Sequence, residues 1–143
     1  MAGLLSPAEN EPGDVVAETL RRWAREPFDE VTANCGLSAL AYAERATASR
    51  PLVRPRALTR REVRRMVARP LAFAAYCASI LADLDLPETL EPERGDIGLV
   101  ELPNGLTAAI CLGDGLWAAR LLRGVVMQPA AFKHAWRVAC RTQ

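Results

Sequence analysis

Lysine is almost missing from this chain: Lys133 is the only one among 18 basic residues, and the rest are arginine. Set against 17 acids, they leave a formal charge of +1, so no overall field draws in nucleic acid or an anionic surface. Any basic function has to be local. Histidine is as scarce, with His134 alone. Cysteine occurs at 35, 77, 111 and 140, with no CxxC pair and no histidine at ligand spacing. That argues against zinc, an iron–sulfur cluster and a disulfide scaffold, and suits a chain made in reducing cytoplasm. No metal and no cofactor is expected. Long apolar runs are also wanting: the longest uncharged one, Leu71 to Ala82, is too short to cross a bilayer and fits a buried helix, so membrane insertion is not expected. The opening "MAGLLSPAENEPG" has no basic leader. It reads as an extended arm over residues 1–13, broken by Pro7, Pro12 and Gly13, rather than as a signal peptide or anchor. There is no internal repeat and no low-complexity tract.

What is present suits a folded domain. Half of the residues are apolar and 24% charged, and 143 residues are enough for one core but not two. Residues 14–143 are expected to form a single unit. Asp14 can cap a helix running to about Arg25, with Val16, Leu20 and Trp23 on one face. Asn34 caps a second helix with a stripe of Leu37, Leu40 and Ala41, and this puts Cys35 in its first turn. After the Pro-rich loop "ASRPLVRPRAL", Thr59 and Glu62 form a capping box that opens a third helix, which should end by Arg69 because of Pro70. The run from Leu71 to Ala82 makes a fourth, apolar all round.

The pattern then changes. "DIGLVEL", "LTAAICL", "LWAAR" and "GVVMQ" are short β-compatible runs separated by "PNG", "GDG" and "RG" turns, an antiparallel meander. A short helix through "AAFKHAWRVA" is expected to close the chain. Helices followed by a small sheet give an α+β fold. "CLGDGL" joins two strands and precedes no helix, so it is a hairpin turn rather than a phosphate loop. Trp23, Trp117 and Trp136 are expected as core or interface anchors.

Two features carry chemistry. A thiol at a helix N-terminus meets unpaired N–H groups and the positive end of the helix dipole, which prepare a nucleophile; a small buried cysteine fits the same place. The second feature is arginine density between 50 and 69. Arg60, Arg61, Arg64 and Arg65 fall at i, i+1, i+4 and i+5, which gathers them on one helix face. Such a face can be plain solvated surface, can pair with acids of a neighbouring subunit, or can grip phosphates. No aromatic residue is interleaved for base stacking, which argues against nucleic acid.

Taken together, "EPFDEVTANCGLSALAYA", the helical middle and "RGDIGLVELPNGLTAAICLGDGLWAA" resemble the papain-like, NlpC-type cysteine-peptidase domains of phage and gene-transfer-agent tail clusters. The nearest pattern is a tail-associated branch of unknown function that reads "PFxWGxxDC" early and "GD" before the first strand. The resemblance spans about Val15 to Val138. It places Pro27 and Phe28 at the PF pair, Cys35 at the nucleophile, and Gly95 and Asp96 at the GD. It also places Thr107 where active members carry the base histidine, and the third polar position near Ala119. Threonine cannot accept the thiol proton at neutral pH and alanine orients nothing, so the resemblance implies a dismantled triad. Its implied role is a structural part of a tail tip or baseplate, assembled in the bacterial host cytoplasm and carried in the virion. The implied partners are distal tail, hub or fibre-carrying subunits, with peptidoglycan a further candidate. The competing readings are an active peptidase or amidase cutting peptidoglycan peptides during DNA entry, and a small DNA-binding adaptor. His134 is expected in the terminal helix, away from Phe132 and Trp136, as a solvated imidazole rather than a displaced base.

Overall fold

The computed structural model describes residues 14–29, 34–48, 58–82, 84–103, 105–122 and 124–138. The arm expected at 1–13 and most of the Pro-rich loop lie outside them. Helix α1 spans Val15–Arg25, and its N-cap Asp14 accepts from the Ala17 N–H at 3.1 Å. Helix α2 spans Cys35–Thr47, capped by Asn34, whose side chain accepts from the Leu37 N–H at 2.9 Å. Ala39, Leu40, Ala43 and Ala46 form its buried face, whereas Ala41 is exposed, so the expected stripe is rotated. Helix α3 spans Arg60–Val67 behind the full capping box of Thr59 and Glu62. Pro70 then opens helix α4, Pro70–Ala82, where its missing N–H costs nothing.

Helix α4 departs from expectation. Phe73, Cys77, Ile80 and Leu81 are buried, but Ala72, Ala75, Ala78 and Ser79 face outward and Leu71 is 87% exposed. Alanine exposes little apolar area, so a helix apolar all round can still lie at the surface.

Five antiparallel strands follow: β1 Ile97–Leu102, β2 Gly105–Gly113, β3 Leu116–Leu121, β4 Gly124–Pro129 and β5 Phe132–Trp136. The last replaces the expected terminal helix. "FKHAW" is too short for the helical period to compete, and a register shift between Leu99 and Val100 sets Phe132 on the same side as Ala135, with Trp136 on the other. The free edge of β1 supplies the pairing that local propensity does not.

The order β4-β3-β2-β1-β5 puts β4 and β5 at opposite edges. Edge strands of a flat five-stranded sheet lie about 19 Å apart. Yet the steps from Pro129 through Ala130 and Ala131 to Phe132 reach no further than about 11 Å. The sheet therefore curls until its edges approach. Inside the curl Trp117 packs on Phe132, with ring centroids 6.1 Å apart, among Val100, Ala109, Ala119 and Ala135. The opposite face meets the helices in the main core, where Trp23, Tyr42, Phe73, Leu99, Ile110 and Trp136 lie. All three tryptophans are buried.

The Gly95–Asp96 pair ties this sheet together. Gly95 holds φ at 101°, and its carbonyl accepts from the buried Tyr42 hydroxyl. Asp96, 2% exposed, accepts from the N–H of Glu93 at 2.8 Å and of Val138 at 2.9 Å, and lies 3.1 Å from Arg137 Nε. One carboxylate thus joins the entry to β1 with the exit from β5.

Candidate functional site

Cys35 is the first residue of α2, and that helix lies across the middle strands of the sheet. The sulfur meets the backbone N–H groups of Cys35, Gly36 and Ala108. These donors favour thiolate, but burial outweighs them and pushes the Cys35 thiol up. Cys77, on α4, is pushed up further by burial and by the nearby Cys35. Both are free cysteines.

The thiol opens onto a cavity of about 890 Å³. Phe28, Val63, Met66, Phe73, Leu106 and Val126 are among its apolar walls, and Asn34, Thr107 and Gln128 add polar groups. The charged residues among the described lining are Arg64 and Arg120, with no acid and no histidine.

The structure thus brings Cys35, Thr107 and Arg64 to one cavity. Thr107 is buried, and its hydroxyl donates to the Gly105 carbonyl at 3.1 Å. The β2 residue that reaches the sulfur is Ala108, through its backbone. Ala119 points into the curl of the sheet with Trp117. Arg60, Arg61 and Arg65, like Arg64, are exposed on α3, and Arg60 lies 3.5 Å from the Asp29 carboxylate.

His134 is not on a helix and not turned from Trp136. It sits on edge strand β5, with its ring stacked on that indole at 6.1 Å and Nδ1 3.7 Å from Glu88. Its side chain is 47% exposed, as a surface imidazole should be. The pairs Ala108–Leu99 and Leu99–His134 leave a whole strand between it and the residue beneath the sulfur. That is about 10 Å between the outer two backbones.

Arg120 escaped the reading of the sequence. It is 5% exposed, on β3, and donates to Ser38 Oγ at 3.2 Å and to the carbonyls of Glu26 at 3.0 Å and Pro27 at 2.8 Å. It therefore holds the PF turn against α2 while Phe28 forms a wall of the cavity. All three acceptors are neutral, and Nε has no hydrogen-bond partner. The one signal was an arginine closing an otherwise apolar strand.

A family model described as a domain of unknown function, DUF6950, matches residues 7–138. The chain belongs to that family. No curated protein and no solved structure matches it. Among the described residues no group of three or more histidine, cysteine or acidic side chains could hold a metal, and no helix is long and apolar enough to cross a membrane.

Proposed function

We propose that this DUF6950 chain is a non-catalytic, papain-like domain of the NlpC type, serving as a structural component of the tail tip or baseplate of a phage or phage-like particle. The observation that carries the non-catalytic part is the setting of Cys35. Its sulfur has backbone donors and a large cavity, but the described lining offers no group able to take its proton. A nucleophile needs a base within hydrogen-bond reach or a lowered pKa, and burial moves this thiol the other way.

The tail assignment is supported by the motif resemblance alone: the PF pair, Cys35 before a small-residue helix, and the GD that enters the first strand. The described surface is compatible with assembly, since Leu71, Leu90, Leu122 and Met127 are well exposed. Distal tail, hub or fibre-carrying subunits are the proposed partners.

The test is mass spectrometry and a density map of purified tails from a particle that carries this chain. Stoichiometric presence near the tail tip supports the reading. Muropeptide cleavage by purified protein, lost in Cys35→Ser, would replace it with the enzyme.

A further inference from the structure

We propose that the cavity beside Cys35 binds an apolar molecule with a single carboxylate, of the kind a medium-chain fatty acid represents, and that Arg120 supplies the counter-charge. A buried guanidinium is normally matched by an acid, because a cation taken out of water is costly to leave unbalanced. Arg120 is buried and has only neutral acceptors. Three of its five N–H donors are engaged by them, and Nε–H is among those left over.

Charge around the cavity is one-sided. Buried Arg120 and the exposed Arg64 line it, the buried one with neutral acceptors alone, and no acid lines it among the described residues. The first turn of α2, at Asn34 and Cys35, adds the positive end of a 13-residue helix to the same wall. The rest of the wall is mainly aliphatic and aromatic, and a volume of about 890 Å³ suits a drug-sized or lipid-sized body rather than a bare ion. An apolar wall with net positive polar groups selects an amphiphile of opposite sign, because a neutral one leaves the cation unmatched and a cationic one adds repulsion. Binding of this kind needs no proton acceptor at Cys35 and is independent of any role in a tail.

The experiment is calorimetric titration of the full chain with laurate, with dodecanol and dodecyltrimethylammonium as equally long neutral and cationic probes, and with acetate as the charge without the chain. Saturable laurate binding is expected, with dodecanol about tenfold weaker or more and no saturable binding of the other two. Laurate should also slow alkylation of Cys35. Arg120→Gln, with its fold checked by circular dichroism, should bring laurate down to the level of dodecanol. No saturable laurate binding, equal affinity for laurate and dodecanol, or unchanged laurate affinity in folded Arg120→Gln would each overturn the proposal. The comparison of probes on the unaltered chain decides the matter even if the variant does not fold.

Discussion

The indole of Trp117 occupies the space above Gly98: a Cβ built on that glycine would lie 2.6 Å from the ring. Trp117 is on β3 and Gly98 on β1, so the ring reaches across β2 within the curl of the sheet. Gly98→Ala should destabilise the chain by about 1–3 kcal/mol, the range for overpacking a filled core. Urea unfolding followed by tryptophan fluorescence measures it. Gly36 provides the control: a Cβ there meets its neighbours at 3.5 Å or more, so Gly36→Ala should cost little.

Asp96 should be as sensitive for a different reason. Asp96→Ala removes the acceptor of two N–H groups, of Glu93 and Val138, and leaves the latter unpaired in a buried setting. A loss of about 2–4 kcal/mol is expected. Hydrogen exchange should rise first in residues 132–138, which the carboxylate ties to the start of β1.

The buried thiols make stability fall in alkali. Burial raises Cys35, and raises Cys77 well above its ordinary 9.0, so the folded chain prefers both as thiols. Their contribution is intact below pH 9.0 and is lost as pH climbs through the folded values. Tyr76, raised by burial beside them, acts in the same direction. Unfolding free energy should therefore drop as pH climbs above 9.0, less steeply in Cys77→Ala. By the same cause Cys35 should react with iodoacetamide at about pH 6.5 no faster than a model thiol, and His134→Ala should not change the rate.

Removing the Thr59 hydroxyl should loosen α3. Thr59→Ala deletes the acceptor of the Glu62 N–H at 3.1 Å, and the box is exposed, so a loss of about 1 kcal/mol is expected in thermal unfolding.

Much of this fold was legible because the signals were local. Asp14, Asn34 and Thr59 cap the helices that their side chains announce, Pro70 marks the break between α3 and α4, and the glycine turns divide the meander. What escaped depends on distant partners. "FKHAW" becomes a strand only because β1 has an edge to offer. Ala41 faces out, and Ala39 in, because of where the sheet lies. Arg120 was an arginine at a strand end until the register set it beside α2, and Leu71 shows that apolar composition does not reveal which side of a helix is covered. At the site, the thiol at a helix start could be read from the sequence, but not the balance between its donors and its burial.

The short link from Pro129 to Phe132 has a consequence for how the chain comes to be folded. Until β5 is delivered, β1 presents an open row of N–H and C=O groups, and the segment that covers it lies far downstream. Such non-local closure is slow, and an open edge is a template for another copy. Refolding yield should decline as concentration rises, with misassembly starting from the first strand waiting for the last.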